Sequence, residues 1–179
     1  MGYLGESLLT ALELIINFDR EVRITAWVSL YTSSCAIVIA ALLGVPTGLW
    51  LGLNRFRGRQ ILLALLNTLM ALPTVVVGLL LFGLLSRQGP LGPLGLLFTP
   101  LAMIVGQTVL ATPIVANLVL AAVTGADQRI INTALTLGAS RFQAAIQLLR
   151  EIRFGLMAAV IAGFGRVIAE VGVAMMLGG

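Results

Sequence analysis

The chain has 179 residues, of which 59% are hydrophobic and 10% are charged. Soluble domains carry about 25% charged residues, so this composition excludes an ordinary soluble domain and indicates an integral membrane protein. The net charge is +4, the 11 basic residues are all arginines, and there is no histidine. The missing histidine excludes His-ligated metal sites and catalysis by Ser–His or Cys–His pairs. We assign the arginines to the flanks of membrane segments rather than to nucleic-acid binding.

The N-terminal region is apolar but interrupted by two acids. Glu6 and Glu13 lie in a run where leucine and isoleucine recur at helical spacing. A cleaved signal peptide is therefore not expected, and we predict an interfacial amphipathic helix over residues 1–22. Residues 23–179 form the predicted transmembrane domain.

Apolar stretches separated by polar or Gly/Pro-rich breaks predict an all-α, polytopic transmembrane bundle. The four predicted spans cover residues 24–53, 61–85, 96–123 and 154 onward. The first, at about 30 residues, would measure about 45 Å, so a tilt or a bend near Pro46 is expected. Pro73 lies inside the second span and Pro113 inside the third. The fourth span is still apolar at Gly179, and we expect a fifth span to follow it.

The arginines also predict the orientation. Three of them lie in the 54–59 turn and four in segment 127–153, whereas the N-terminal segment and the 86–95 loop share three. Cytoplasmic loops carry the excess of basic residues. We therefore predict a multi-pass protein of the inner (plasma) membrane, with its N-terminus outside and with the 54–59 turn and segment 127–153 in the cytoplasm.

Segment 127–153 is too polar to cross a membrane and is patterned as two short helices. Apolar residues recur at helical spacing before Gly138 (Ile131, Ala134, Leu135, Leu137) and after it (Phe142, Ala145, Ile146, Leu149). Gly138 suits the end of the first helix, and Ser140 suits the N-cap of the second. We interpret the segment as a projection that docks a soluble partner, with an ordinary interfacial loop as the alternative.

This segment resembles the coupling loop of ABC importer permeases, whose motif is Glu-Ala-Ala, three residues, Gly, nine residues, then Ile-x-Leu-Pro. The chain keeps Ala134 and Gly138 and departs from the motif at five positions: Asn132, Thr133, Leu148, Arg150 and Glu151. Longer strings, at residues 67–81, 85–100, 150–155 and 163–172, resemble permeases of tungstate importers. Molybdate and sulfate permeases share the layout and less of these strings.

The resemblance implies a homodimer of permeases around one translocation path. Two cytoplasmic ATPases would bind ATP and magnesium and receive the coupling loops, and an extracytoplasmic binding protein would deliver the oxyanion. The chain itself would hold no cofactor, metal or catalytic residue. The ATPase-coupling residues implied are Asn132, Ala134, Leu137, Gly138, Ala139, Ser140, Arg141 and Phe142.

Arg166 and Glu170 are charges inside the fourth apolar stretch. In a helix starting at Phe154, Arg166 would lie about 18 Å along the axis, near the middle of a hydrocarbon core of about 30 Å. Intramembrane charges face a bundle interior and are candidate functional residues. The pair either lines the path, attracting a dianion while limiting how tightly it is held, or joins packed helices. Polar residues near the prolines extend the candidate path set to Thr74, Gln107 and Thr108.

Other functions were weighed against the permease. An intramembrane enzyme would need catalytic groups that the sequence lacks, because it has no histidine and only one carboxylate, Glu170, within the predicted spans. A passive channel leaves the projection unexplained. Tungstate and molybdate have the same charge and nearly the same size, so the choice of tungstate rests on the resemblance, with molybdate, sulfate or another small solute as alternatives.

Overall fold

The computed structural model describes residues 20–178, and the regular elements among them are all helical. They are α1 (Arg20–Leu53), α2 (Arg59–Ala71), α3 (Thr74–Leu85), a 3₁₀ turn (Gly92–Leu94), α4 (Pro100–Gly125), α5 (Gln128–Thr136), α6 (Arg141–Glu151), α7 (Arg153–Ile168) and α8 (Gly172–Gly178). The predicted all-α bundle is confirmed. The predicted interfacial helix lies outside the described residues except for 20–22, which belong to the first turn of α1.

Two helices, α1 and α4, are each long and apolar enough to cross a membrane alone. The pairs α2–α3 and α7–α8 qualify only when each bent pair is counted as one span. Counted in this way, residues 20–178 contain up to four spans at the predicted places, two of them broken. The third starts at Pro100, four residues later than predicted, because Thr99 caps α4 by accepting the Ala102 N–H at its hydroxyl oxygen. Pro100 fits the first helical position, where its missing N–H has no intrahelical role.

The prediction of one continuous second helix is wrong. Helices α2 and α3 meet at 97°, with Leu72 and Pro73 both extended between them. Proline disfavours the helical conformation of the residue before it and cannot donate a backbone hydrogen bond. Pro113, in contrast, lies within the uninterrupted helix α4, and Pro46 within α1.

The prediction of one continuous fourth helix is also wrong. Helix α7 ends at Ile168, α8 begins at Gly172, and their axes differ by 60°. This break contains no proline. The Glu170 carboxylate Oε1 accepts the backbone N–H groups of Gly172 (3.1 Å) and Val173 (3.4 Å), so it caps α8.

Small residues hold α1 and α4 together in a parallel arrangement. Gly44, Gly48 and Gly52 face successively later residues of α4, from Thr112 to Val123. The approach is closest at Gly48, where an added Cβ would lie 2.4 Å from the carbonyl oxygen of Ala116. Helix α7 runs antiparallel to α4, with glycines at the contact. Close backbone approach is a common way for membrane helices to gain packing energy without a hydrophobic driving force.

The buried residues form two clusters. The main core joins α1, α4, α6 and α7 and comprises Ala36, Ile37, Ala40, Ile104, Ala111, Val115, Val119, Val123, Leu148, Ile152, Ala159 and Val167. A second cluster, the elbow core, joins the distal halves of both bent pairs to the start of α4 and comprises Leu85, Ala102, Val173 and Leu177.

Because α1 and α4 are parallel, the 54–58 turn and helices α5 and α6 lie at the same end of the bundle. The loop over residues 86–99 lies at the other end, where the Phe98 N–H donates to the Leu177 carbonyl (2.8 Å). This loop includes a 3₁₀ turn at Gly92–Leu94.

Candidate functional site

Residues 127–151 form a two-helix projection at one end of the bundle. Asp127 caps α5 by accepting the Arg129 N–H (2.9 Å). Gly138 has φ 85°, a left-handed conformation that favours glycine, and it ends α5 as predicted. Ser140 caps α6 through a capping box, in which its hydroxyl accepts the Gln143 N–H and the Gln143 side chain accepts the Ser140 N–H. The turn chemistry read from the sequence is thus confirmed.

The tip of this projection exposes large apolar side chains. Leu137 is 82% exposed and Phe142 is 74% exposed, on either side of the Gly138 turn. Asn132, Ser140 and Arg141 are exposed around them. Exposed apolar residues rimmed by polar ones are typical of a protein interaction surface.

A groove of about 830 Å³ separates α5 from α6. It is lined by Arg129, Ile130, Thr133, Ala134, Leu137, Ala139, Gln143, Ile146, Gln147 and Arg150. Its floor is apolar, and it carries two arginines and no acid. Of the predicted coupling residues, Ala134, Leu137 and Ala139 line the groove, while Phe142 lies outside its lining. Arg129 and Arg150 were not among the candidates. The four-residue spacing of Ile146 and Arg150 does place those two residues on one face of α6.

The base of the projection is anchored in the main core. Leu148 and Ile152 are buried there, and Ala144 is buried one turn before Leu148. The predicted apolar stripe of α6 that begins at Phe142 is therefore not its most buried face. Hydrogen bonds run from Ile152 N–H to the Leu148 carbonyl and from the Leu156 N–H to the Ile152 carbonyl. With a single residue between α6 and α7, a force on the projection would pass directly into α7.

The second candidate site lies at the break between α7 and α8. Arg166 Nη1 is 3.7 Å from Glu170 Oε2, with Arg166 51% exposed and Glu170 7% exposed. The pair keeps the predicted i,i+4 spacing, but Glu170 lies beyond the end of α7 rather than inside a helix. Its carboxylate thus has two roles, as the cap of α8 and as the partner of Arg166.

Thr74 belongs to the same neighbourhood. A Cβ added to Gly172 would lie 3.2 Å from Glu170 Oε1 and 3.9 Å from Thr74 Oγ1. The two breaks are therefore adjacent, and the structure brings Thr74 together with Glu170 although they are distant in sequence. Gly172 was not a candidate site residue, and its place beside Glu170 and Thr74 is visible only in the structure.

Gln107 and Thr108 form a separate group on α4, and Thr108 contacts α1. Both are buried, and the Thr108 hydroxyl donates to the Ala36 carbonyl at 3.5 Å. Among the described residues, Gln107 Oε1 and the buried Ser33 Oγ find no hydrogen-bond partner. The predicted path set is thus divided between an exposed break and a closed interface. Within residues 20–178, no three Cys, Asp or Glu side chains cluster as metal ligands would.

Comparison with known proteins identifies the family. Residues 44–179 match the family described as binding-protein-dependent transport system inner membrane component. The chain belongs to this family. Membership means a transport role in the membrane, and partnership with an ATPase and a binding protein. The predicted resemblance to ABC importer permeases is confirmed.

Three relatives cover most of this permease. A probable anion ABC transporter permease protein from Haloferax volcanii is 42% identical over 164 residues, which are 92% of this chain and 70% of that protein. The tungstate uptake system permease protein TupB from Peptoclostridium acidaminophilum is 37% identical over 179 residues, 100% of this chain and 78% of its own. TupB from Campylobacter jejuni is also 37% identical over 179 residues, 100% of this chain and 75% of its own.

Proposed function

We propose that this permease forms the translocation path of an ATP-driven importer for an oxyanion, and that its cargo is tungstate. The proposal for the cargo is supported by two relatives named for tungstate uptake that align with the whole chain. The anion class is supported independently by the relative named for anion transport. Residues 23–179 would constitute the transport domain, after an interfacial helix over residues 1–22.

The observation that carries the mechanism is the projection with an exposed apolar tip and a buried base. Leu137 and Phe142 would enter a surface cleft of the partner ATPase, as would the turn between them. The full coupling set is Asn132, Ala134, Leu137, Gly138, Ala139, Ser140, Arg141 and Phe142. ATP and magnesium would be bound by that ATPase, so the permease is a non-catalytic subunit.

The assembly that fits these features is a homodimer of permeases with two ATPases and one binding protein. The arginine-rich end, which carries the 54–58 turn and the projection, would face the cytoplasm, and the N-terminus would lie outside. The binding protein would approach the end that carries the 86–99 loop.

The break between α7 and α8 is the part of the permease that we propose to meet the cargo. The half-exposed guanidinium of Arg166 would attract a dianion, and Glu170 at 3.7 Å would weaken its hold. Transport requires this balance, since a tightly held anion would not be released. Thr74 would supply a neutral hydroxyl beside the same break. Gln107 and Thr108 would join the path only if α1 and α4 separated during the transport cycle.

Coupling is tested by replacing the exposed apolar residues of the projection. Leu137→Asp and Phe142→Asp should each abolish co-purification of the partner ATPase and ATP-dependent uptake, because the desolvated apolar contact is replaced by a charge. The control for ATPase co-purification is Leu94→Asp, the same kind of change at an exposed leucine of the opposite end. Normal ATPase binding by both projection variants would refute the docking surface.

The cargo is tested separately in proteoliposomes that contain the assembled importer and its binding protein. Labelled tungstate should accumulate when ATP is present, and tungstate should displace it better than molybdate or sulfate. A preference for molybdate or sulfate would overturn the cargo but keep the importer. ATP-independent uptake would overturn the importer itself.

A further inference from the structure

The turn between α1 and α2 concentrates arginines at the edge of the bundle. Arg55, Arg57 and Arg59 lie within five residues, and Gly58 has φ 93°, which favours glycine. None of the three arginines forms an ion pair with a residue in the described part of the chain. The turn therefore carries positive charge that no ion pair within residues 20–178 neutralises.

Two of these arginines border a cleft of about 470 Å³. Its lining residues are Arg55, Phe56, Gly58, Arg59, Gln60 and Ile61. Arg59 Nε donates to the Leu51 carbonyl at 2.9 Å, which fixes the direction of its side chain. The other guanidinium nitrogens of Arg59 make no hydrogen bond with a residue between 20 and 178. Arg57, in the same turn, does not line the cleft.

The surroundings of the cleft are those of a membrane interface. Trp50 packs on Phe56 with ring centroids 4.7 Å apart, and tryptophan rings gather at the level of lipid headgroups. From the cleft, an exposed apolar stripe runs along α2 through Ile61, which is 73% exposed, then Leu65 and Leu69. The spacing of four residues puts the three side chains on one face of the helix.

We propose that this cleft binds the phosphate of an anionic phospholipid, with an acyl chain lying along the stripe from Ile61 to Leu69. Arginine donates paired hydrogen bonds to phosphate, and basic pockets at the cytoplasmic side of membrane helices suit anionic headgroups. A free phosphate ion would satisfy Arg55 and Arg59 but would leave the adjoining apolar stripe without a ligand. The proposal does not depend on the cargo or on ATPase docking.

The test compares two arginines of the same turn. Native mass spectrometry of the intact permease, titrated with phosphatidylglycerol or phosphatidylcholine, measures lipid binding directly. Arg55→Gln should weaken phosphatidylglycerol binding about tenfold or more, because it removes a charge-assisted contact to phosphate. Arg57→Gln, the matched control, should weaken it by no more than about fivefold, the effect of one surface charge near anionic lipid. Phosphatidylcholine binding should change little in either variant.

Three results would overturn the site. Equal losses in Arg55→Gln and Arg57→Gln would mean diffuse attraction by the whole turn. Displacement of phosphatidylglycerol by a large excess of inorganic phosphate would mean that the cleft is a free-anion site. Unchanged lipid binding by Arg55→Gln, combined with loss of the co-purified ATPase, would mean that the cleft contacts protein.

Discussion

The main core and the elbow core are both built around glycines, but the neighbours of those glycines differ. At Gly48, in the main core, the closest atom to an added Cβ is a backbone oxygen of Ala116 at 2.4 Å. At Gly106, in the elbow core, the closest atoms are the side-chain ends of Leu177 and Val173, both at 2.6 Å. Backbone cannot move away without separating two helices, whereas side-chain ends can change rotamer. The α1–α4 contact at Gly48 is therefore a fixed frame, and the contact at Gly106 is adaptable.

The two cores also differ in the elements of the fold that they contain. The main core includes the base of the projection that we propose to dock an ATPase. The elbow core contains the half-helices α3 and α8, which begin at the 97° and 60° breaks. The projection is thus anchored to α1, α4 and α7 rather than to α3 and α8.

The largest expected effect separates the two cores directly. Gly48→Ala should destabilise the permease by about 3 kcal/mol, the upper end for overpacking, because α1 must move away from α4. Gly106→Ala is the matched variant and should change stability by less than about 1 kcal/mol, because helix propensity gained by alanine offsets small side-chain shifts. Thermal unfolding in detergent measures both. Equal losses at the two positions would contradict the contrast between frame and adaptable contact.

A smaller effect is expected at the break that has no proline. Glu170→Ala should cost about 2 kcal/mol, because the N–H groups of Gly172 and Val173 lose their acceptor. Glu170→Gln keeps an acceptor oxygen and loses only the charge facing Arg166, a half-exposed pair worth about 1 kcal/mol or less. Unfolding midpoints of the two variants are compared, together with uptake. If Gln were as damaging as Ala, the charge rather than the cap would be the requirement.

The last prediction concerns two prolines, and it is tested by the sign of the stability change in each variant. Pro73→Ala should lower stability by about 1 kcal/mol or less, because proline restricts the unfolded chain and fits the extended break. Pro46→Ala should raise stability, because Pro46 is exposed inside the continuous helix α1 and alanine restores a backbone donor there. The same unfolding assay in detergent measures both variants. Stabilisation by Pro73→Ala would mean that the α2–α3 break is held by tertiary contacts alone.

The two breaks also show where prediction from sequence fails. Proline was visible inside the second span, yet the same residue type bends the chain at Pro73 and leaves α4 straight at Pro113. The difference lies in packing, since Pro113 is buried in a helix held on both sides by α1 and α7. The break before α8 had no sequence signal, because glutamate capping from position 170 requires the helix to have ended already.

The projection was the most predictable part. Gly138 and Ser140 act through hydrogen bonds and dihedral angles within a few residues, so their roles could be read locally. The groove between α5 and α6 could not, because Arg129 and Arg150 meet only when the two helices fold against one another.

Composition, arginine placement and turn residues were enough to predict a polytopic helical membrane protein, its four spans and its two-helix projection, because each depends on interactions with water, lipid or near neighbours in the chain. Tertiary structure alone decided that two spans are broken, that Glu170 caps α8 beside Thr74, and that Gln107 and Thr108 are buried, with Thr108 against α1. These features depend on which helices come into contact, and contacts between residues distant in sequence have no local pattern.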